Sequence, residues 1–326
     1  MSTSAAEKLR RLYAQFAKED RLAILINADP DSIASAMALK RLLWRRVANT
    51  TIVHINKIKR PDNLAMIRLV RAGLHHVNKT DLSSFSRFAL IDSQPAHNPL
   101  FEDFSYDVII DHHPQTGVKS PLTDIRPDYG ATASIMTEYL RAAKINPSAR
   151  LATALFYAIK TDTGNFERNA LIEDVRAFQY LFRHANIHLA RKIEQSEITF
   201  DFLKTYILAI EKMQRRKGRI YVHLGPVTSP DLCVLIADFF MRVHDVTWSI
   251  VSAIYKKDLI IILRNDGIRK NAGKIAVKAF DAIGSAGGHK SMARAEIPVD
   301  NLKGIIDTED DNGLTRWIIK ATEKQN

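Results

Sequence analysis

The sequence has one cysteine and no long run of apolar residues. Because Cys233 stands alone, the chain cannot form an internal disulfide or a cluster of thiolate metal ligands. Residues 1–16 are amphipathic and lack the continuous apolar segment of a signal peptide, so we expect a surface helix there. No stretch is long enough to span a bilayer. These absences predict a cytoplasmic protein with no membrane partner, in which Cys233 belongs to the core.

Acidic residues are outnumbered by basic ones. The chain has 47 Lys and Arg against 36 Asp and Glu, a formal net charge of +11 over 326 residues. This excess favours a polyanionic partner such as phosphate or nucleic acid, although a basic surface that only keeps a protein soluble has the same composition. The length exceeds that of one ordinary domain and therefore predicts two compact units.

The first half of the chain alternates short apolar runs with helical patterns. This alternation predicts an α/β fold in which a parallel sheet is flanked by helices. The predicted strands cover residues 22–27, 50–55, 87–91 and 106–110. The predicted helices cover residues 32–46, 61–73, 131–143 and 148–160.

The second half changes character twice. Residues 173–214 are helical in period, without a strand signal, and end in a charged run. The latter part of this helical stretch is predicted to connect two domains. A smaller α/β domain follows, with strands at 219–225, 247–257 and 259–265, a helix at 271–282 and then a glycine-rich turn. We therefore predict a catalytic domain at 1–190, a helical connector at 191–218 and a substrate-binding domain at 219–326.

Acidic residues follow three of the four predicted strands of the first half. They are Asp29 and Asp31 after the first strand, Asp92 after the third and Asp111 after the fourth. The carboxyl ends of parallel strands meet at one edge of the sheet, so these carboxylates should converge, and Asp162 can join them from the end of an apolar helix. Any one of them alone is more readily a helix cap or a turn residue, as Asp31 or Ser32 would be before the next helix.

Carboxylates that crowd together repel one another, and bound cations relieve that repulsion. Oxygen ligands, joined by His112 and His113 and by no sulfur, suit Mn²⁺ or Mg²⁺ better than a structural zinc. The joint occurrence of these residues in order therefore favours a site for one or two divalent ions.

These motifs resemble those of the DHH phosphoesterase superfamily, whose name is the triplet found here at residues 111–113. Its members include RecJ-like exonucleases, nano-RNA phosphatases acting as oligoribonucleases, cyclic dinucleotide phosphodiesterases and family II pyrophosphatases. The similarity extends over residues 27–35, 91–93, the triplet and 161–164. Residues 284–289 (GSAGGH) look like the glycine-glycine-histidine motif of the associated substrate domain.

The resemblance implies roles for individual residues. Asp92 would bridge two metal ions, Asp29 would bind one of them, and the other would be bound by Asp31, His112 and Asp162. His113 and Asp111 are the candidate catalytic residues, and His113 would contact the scissile phosphate or protonate the leaving oxygen. A water shared by the ions would attack phosphorus in line.

The resemblance also implies substrate-binding residues. In the second domain, a phosphate or terminal nucleotide would be bound by Arg264, His289 and the amides of Gly287 and Gly288. Two weaker candidates, Arg60 and Asn63, stand where a helix opens after the second strand, although Pro61 there also fits a plain helix start. The amides of residues 130–132, before another predicted helix, can also meet an anion.

Two positions depart from the family pattern: position 25, and Arg294, where the pattern after the glycine-glycine-histidine usually has glycine. The first motif normally begins with a histidine four residues before the first aspartate, where this chain has Leu25. No histidine occurs between Met1 and Val53, so a replacement would have to come from elsewhere, for example His54 on the adjacent strand. Otherwise water would complete a weaker metal site.

Four functions fit these observations. The leading hypothesis is a phosphoesterase acting on short single-stranded oligonucleotides, linear dinucleotides or nucleoside bisphosphates. A polyphosphatase or pyrophosphatase would use the same metal chemistry. Leu25 motivates a third hypothesis, a degenerate protein that binds a nucleotide and regulates another process, and charge alone fits a nonspecific nucleic-acid binder. The oligomeric state stays open, with a homodimer among the candidates.

Overall fold

A computed structural model describes residues 4–167, 170–195 and 200–324. The chain divides into two compact units, Met1–Glu197 and Ile198–Asn326, and each is built on a six-stranded sheet. This architecture confirms the predicted α/β class, with a helix-flanked parallel sheet first and a smaller α/β unit second. The domain bounds 1–190, 191–218 and 219–326 stay a prediction. In the described residues, every helix is too short or too polar to cross a membrane.

The sheet of the first unit is entirely parallel. Its strands are β1 (Arg21–Ile26), β2 (Asn49–His54), β3 (Leu74–His76), β4 (Arg87–Ile91), β5 (Val108–Asp111) and β6 (Leu122–Ile125). They lie in the order β3-β2-β1-β4-β5-β6. The four predicted strands are therefore confirmed as β1, β2, β4 and β5. The two edge strands, β3 (LHH) and β6 (LTDI), escaped prediction because they are short and polar residues interrupt their apolar ones.

Apolar clusters cover both faces of this sheet. Along β1, Leu22, Ile24 and Ile26 belong to the larger cluster, whereas Ala23 and Leu25 belong to the smaller one on the other face. Burial on both faces explains why the strand is a continuous apolar run. The helices are α1 (Ala5–Tyr13), α2 (Pro30–Leu42), α3 (Pro61–Val70), α4 (Pro99–Glu102), α5 (Thr132–Ala142), α6 (Ala149–Asp162), α7 (Ile172–Phe182) and α8 (Ile187–Glu194).

The long helical run predicted at residues 173–214 is wrong in part. It comprises three helices, α7, α8 and α9 (Phe200–Lys212), and its end enters strand β7 (Gln214–Arg216). This strand pairs antiparallel with the following one through a turn at Lys217 and Gly218, both with positive φ. Its charged residues lie on an exposed edge strand, which is why no apolar alternation marked it.

The second unit has a mixed sheet in the order β11-β12-β10-β9-β8-β7. Its other strands are β8 (Arg219–Pro226), β9 (Trp248–Tyr255), β10 (Asp258–Asn265), β11 (Ser285–Gly288) and β12 (Met292–Pro298). Its other helices are α10 (Asp231–Phe240), α11 (Ala272–Phe280) and α12 (Asp311–Glu323). Three predicted strands and one predicted helix are confirmed here, and Cys233 is fully buried in α10, as expected.

The predicted glycine-rich turn at residues 284–289 is wrong, because β11 occupies most of it. Gly288, with φ +150°, pairs with Ala293 of β12. A Cβ at position 288 would collide with the backbone of Met292 and Ala293, so glycine is required by this close strand pairing. The motif therefore has a structural reason for at least one of its glycines.

Candidate active site

The loop after β1 brings two carboxylates to the carboxyl edge of the first sheet. Asp29 is the N-cap of α2, where its Oδ1 accepts a hydrogen bond of 2.9 Å from the Ser32 amide. The helix cap is therefore Asp29, and not Asp31 or Ser32 as the simplest interpretation of the sequence suggested. Asn56, which follows β2, anchors this loop because its side-chain amide hydrogen-bonds the backbone N–H and C=O of Ala28.

Asp31 is buried and receives the first amides of another helix. The Thr132 amide donates a hydrogen bond of 2.7 Å to Oδ2 of Asp31, and the Ala133 amide donates one of 2.7 Å to Oδ1. The predicted anion site at the start of α5 thus meets an anion, but that anion is Asp31, and the Gly130 amide donates to Asp174 instead. Because the start of a helix carries positive potential, α5 stabilises an ionised carboxylate here.

Asp92 follows β4 in an uncommon backbone conformation. Its φ is +59°, in the left-handed region that few non-glycine residues occupy. Its side chain is buried, and its Oδ1 accepts a hydrogen bond of 2.8 Å from the Thr132 hydroxyl. Backbone strain of this kind clusters at functional sites, where surrounding contacts hold it in place.

His112 faces the carboxylates that the sequence predicted around it. Its Nε2 lies 3.1 Å from Asp162, 3.6 Å from Asp92 and 4.0 Å from Asp31. Its Nδ1 lies 3.1 Å from the Tyr129 carbonyl oxygen, which can only accept, so Nδ1 carries the hydrogen and Nε2 is left to bind a ligand. We call Asp31, Asp92, His112 and Asp162 the acidic cluster.

Metal-ligating atoms approach one another closely in this cluster. Within the residues that the structure describes, ligand atoms of Asp31, His112 and Asp162 lie within 4.8 Å of one another, as do those of Asp92, His112 and His113. Carboxylate oxygens with an imidazole nitrogen form a donor set that fits a divalent cation of the Mn²⁺ or Mg²⁺ kind. The sequence motifs predicted a metal site only if these side chains lie close together, and in this structure they do.

Burial and neighbouring charges shift the pKa values of Asp31, Asp92 and His112. Burial, together with the charge of Asp162, raises the pKa of Asp31 to about 7. Burial also raises the pKa of Asp92 well above its ordinary value, and the neighbouring carboxylates add to that shift. Burial opposes the charging of His112, but its hydrogen bond to Asp162 and the nearby carboxylates prevail and raise its pKa to about 9. A bound divalent cation would let these carboxylates ionise together.

These shifts predict how pH affects the metal-free protein. A folded-state pKa above the unfolded one makes stability fall as pH rises, here between about 4 and 7 for Asp31 and between about 6.5 and 9 for His112. The melting temperature in EDTA should therefore fall from pH 5.5 to 8.5. Mn²⁺ should restore it by about 5–10 °C at pH 8.5, since ligand at ~100 times Kd adds about 2.7 kcal/mol. A smaller gain at pH 8.5 than at pH 5.5 would contradict this linkage.

The remaining pair of the triplet forms a separate hydrogen-bonded unit. Asp111 is fully buried, and its Oδ1 lies 2.8 Å from Nδ1 of His113. Its Oδ2 accepts a hydrogen bond of 2.7 Å from the side-chain amide of Gln94. Burial would raise the pKa of Asp111, but these hydrogen bonds outweigh it and lower that pKa. The same bond raises the pKa of His113, whose side chain is 45% exposed and therefore accessible to a substrate.

In the part of the chain that the structure describes, no imidazole nitrogen joins Asp29 in a group of three or more metal-ligating residues. Leu25 is fully buried among apolar residues that include Val53 and Leu90. His54 uses Nδ1 to contact the Asn56 carbonyl and lies edge-on to another histidine ring, at 5.0 Å between centroids. In the described ranges, the groups of three or more metal-ligating residues include neither Asp29 nor His54. The role of Asp29 as a metal ligand therefore stays a prediction.

The proposed substrate residues occupy varied environments, and their roles stay predictions. Arg60 forms a bidentate pair with Asp62, at 2.7 and 3.1 Å, and Asn63 is buried with its Oδ1 lacking a hydrogen-bond partner. In the second unit, Nε of Arg264 donates to Asp238 at 2.7 Å. The last three candidates are partly or fully exposed around the end of β11: Gly287, Gly288 and His289.

Sequence reasoning missed several residues that hold the site together. Tyr129 and Gln94 each hydrogen-bond a predicted site residue from a loop without a motif of its own. The Thr132 hydroxyl does so as well, although only the amide of that residue belonged to the predicted anion site. His97 was also missed. The centroid of its ring lies 5.3 Å from that of His113, and its Nδ1 accepts a hydrogen bond of 3.2 Å from the backbone N–H of Gln94. A histidine five residues after the central aspartate was the available signal.

This geometry defines the class of the protein: an α/β protein whose parallel sheet gathers carboxylates and imidazoles at the carboxyl ends of its strands. Comparison with known families agrees, since residues 21–159 match the DHH family, N-terminal domain. The first unit, from β1 into α6, therefore carries a DHH family, N-terminal domain, as the motifs predicted. Because the matched residues end at 159, the assignment of the second unit as the associated substrate domain stays a prediction.

Individual relatives span the chain more widely. Over 297 residues, the chain is 35% identical to the uncharacterized protein MJ1633 of Methanocaldococcus jannaschii, covering 91% of this chain and 61% of that protein. The chain therefore spans about three fifths of that relative's length. A crystal structure of an exopolyphosphatase-related protein from Bacteroides fragilis has a TM-score of 0.74 at 14% identity, over 97% of this chain and 96% of that one. That likeness shows a shared fold. Exonuclease RecJ bound to manganese gives a TM-score of 0.45 at 12% identity, over 96% and 94%.

Proposed function

We propose that this protein is a metal-dependent phosphoesterase that hydrolyses short oligonucleotides, linear dinucleotides or nucleoside bisphosphates. The observation that carries the proposal is the convergence of three carboxylates around Nε2 of His112. The raised pKa values of Asp31 and Asp92 support it, because they indicate that carboxylates are crowded together in a buried site. Mn²⁺ or Mg²⁺, as one or two ions, is the proposed cofactor.

Each residue of the site has a part in this proposal. Asp31, Asp92, His112 and Asp162 would hold the ions, which when bound would supply Lewis acidity toward a water and the phosphate. The start of α5 holds the Asp31 carboxylate in place through two amide hydrogen bonds. His113 is oriented by Asp111, whose hydrogen bond raises the pKa of the imidazole, and it would donate a proton to the leaving oxygen.

The proposed substrates follow from charge and from the second unit. A net charge of +11 favours a polyanion, and phosphate-binding residues are proposed at Arg264 and Gly287 to His289. A nucleotide phosphoester has an alcohol leaving group. This suits the acidic cluster with His113 beside it, because the imidazole could protonate the leaving oxygen. The same chemistry would cleave polyphosphate, so the substrate panel must include it.

The direct test is a substrate panel with purified protein and Mn²⁺. We expect mononucleotide or phosphate release from a dinucleotide, a short single-stranded oligonucleotide or a nucleoside bisphosphate, and rates at least about tenfold lower with polyphosphate or pyrophosphate. EDTA should abolish release, and readdition of Mn²⁺ should restore it. Faster cleavage of polyphosphate would assign the protein to the polyphosphatase alternative, and no release from any member would refute the phosphoesterase proposal.

One observation favours a second candidate function. Position 25 is leucine in an apolar cluster, and in the described residues no histidine joins Asp29 in a metal-ligating group. A protein of this kind can retain nucleotide binding without turnover and act as a regulator. Nucleotide binding with a well-defined Kd, combined with no release over hours in Mn²⁺, would support the regulatory function, and turnover in the unmodified protein would exclude it.

A further inference from the structure

The second unit contains a pocket that no site residue discussed so far lines. Its volume is about 540 Å³, and it lies where β8 and β9 end and where β10 and α12 begin. The side chains that matter for its chemistry are those of His223, Lys256, Lys257, Glu309 and Asp311. This volume is within the range of small-molecule sites.

His223 presents an unpartnered nitrogen in this pocket. The residue is only 2% exposed, and its Nδ1 lies 2.9 Å from the Ser252 hydroxyl. That hydroxyl donates its hydrogen to the Val222 carbonyl, at 3.3 Å, so it accepts from the imidazole and Nδ1 carries the hydrogen. Nε2 is thus an acceptor, and it has no hydrogen-bond partner. A buried acceptor without a donor is costly, which indicates that a ligand or water supplies one.

A carboxylate oxygen faces the same nitrogen. Oδ1 of Asp311 lies 3.5 Å from Nε2 of His223, while Oδ2 of Asp311 pairs with Lys212 at 2.8 Å. Burial lowers the pKa of His223, so the imidazole stays neutral and both groups act as acceptors. Two acceptors at this separation are complementary to a ligand with two donors, such as a diol or an amine beside a hydroxyl.

Positive charge lies on another side of the pocket. Lys256 and Lys257 form the turn between β9 and β10, and the first turn of α12 adds the positive end of a thirteen-residue helix. Among the acids that line the pocket, Asp300 pairs with Lys303 at 2.7 Å and also interacts electrostatically with Lys257, and Glu309 is a further lining residue. The lysine side therefore suits a phosphate group.

The pocket is remote from the glycine-rich motif of the same unit. Lys257 precedes β10, whereas Arg264 lies near its other end, so at about 3.3 Å per residue they are roughly 20 Å apart. Gly288 pairs in register with Ala293, next to the Met292 that pairs with Arg264. The two ends of this sheet thus offer separate surfaces.

We propose that this pocket is a second ligand site, which binds a phosphorylated polyol or nucleoside. Hydroxyl or amino groups of the ligand donate to Nε2 of His223 and Oδ1 of Asp311, and its phosphate contacts Lys256 and Lys257. The proposal is independent of the chemistry at the acidic cluster, because it uses residues of the second unit alone.

Isothermal titration calorimetry of the full chain tests this site. The titrations use Asp92→Asn protein in EDTA, so that catalysis is removed, with AMP, ribose 5-phosphate and inorganic phosphate as probes. We expect AMP or ribose 5-phosphate to bind at least about tenfold more tightly than inorganic phosphate. Adding Lys256→Ala and Lys257→Ala should weaken that binding about tenfold or more, while Lys217→Ala with Lys320→Ala, which removes the same charge from the same unit, should change it less than about twofold.

Replacement of the histidine tests the donor-accepting side. His223→Phe should remove most of the preference for ribose 5-phosphate over inorganic phosphate, and the lysine variants decide the matter if this variant does not fold. Equal binding of all three probes would leave only an anion-binding spot and overturn the proposal. The absence of binding, or binding that Arg264→Ala abolishes and the lysine pair leaves unchanged, would also overturn it.

Discussion

Replacing Asp92 by asparagine is expected to lower kcat/KM on the best substrate by on the order of a thousandfold or more. Loss of even an outer-shell partner of a metal ligand costs about 10 to 100-fold, and Asp92 lies in the acidic cluster itself, within 3.6 Å of His112. The resemblance gives it the bridging position between two ions, where its loss would affect both. Steady-state kinetics with Mn²⁺ titration measures the effect.

The same substitution should stabilise the metal-free protein. Asn tolerates the left-handed conformation of residue 92, and it removes a buried carboxylate whose pKa is raised by burial and by its neighbours. In EDTA at pH 8, Asp92→Asn should therefore melt at a higher temperature than the unmodified chain while binding Mn²⁺ more weakly. Loss of activity with gain of stability is the trade-off expected of a functional residue.

A second buried aspartate provides the control. Asp124 is buried, and its carboxylate accepts hydrogen bonds from Lys8, Arg126 and Tyr139 and from no residue of the acidic cluster. Asp124→Asn should lower the melting temperature and leave kcat/KM within about threefold, because the pKa of Asp124 is lowered by its hydrogen bonds with Arg126, which outweigh the effect of burial. If both variants lost activity to the same extent, or if Asp92→Asn destabilised the metal-free protein, the role assigned to Asp92 would be wrong.

The sequence predicted the parts of this fold whose residues are buried on a regular period. Strands β1 and β4 were identifiable because both faces of the sheet are covered, which produces continuous apolar runs. Edge strand β7 was not, since it is polar and three residues long, and β11 resembled a turn because its glycines serve close strand pairing. A periodic pattern of apolar residues indicates which positions are buried, and edge strands have few buried positions.

The same distinction holds for the site. Convergence of Asp31, Asp92 and His112 could be predicted, because the ends of parallel strands share one edge of the sheet. The contacts that position them could not: the Thr132 hydroxyl reaches the site from the start of α5 and the Tyr129 carbonyl from a loop, and their hydrogen bonds depend on distances that no local pattern encodes. The predicted anion site at the start of α5 is an example. The sequence indicated free amides there, but not that the anion they bind is the carboxylate of Asp31.

Replacing Asp111 by asparagine is expected to lower kcat by about 100-fold or more, in line with the usual contribution of general acid catalysis. The carboxylate holds Nδ1 of His113 at 2.8 Å and raises the pKa of that imidazole. A group with a raised pKa stays protonated further into the alkaline range, so its removal should shift the alkaline limb of the kcat profile to lower pH. Because Gln94 also bonds Asp111, the asparagine variant retains a polar partner and should fold.

The leaving group separates this role from a purely structural one. A substrate with a p-nitrophenolate leaving group needs little protonation, so Asp111→Asn should slow it by less than about tenfold while slowing a dinucleotide about 100-fold. His113→Gln should show the same contrast, since it removes the proton donor itself, whereas Asp124→Asn should affect both substrates equally. Equal losses on the two substrates, with an unshifted pH profile, would mean that the pair only maintains the shape of the loop after β5. The contrast follows from the geometry because His113 is the exposed end of a hydrogen-bonded pair whose other end, Asp111, is fully buried.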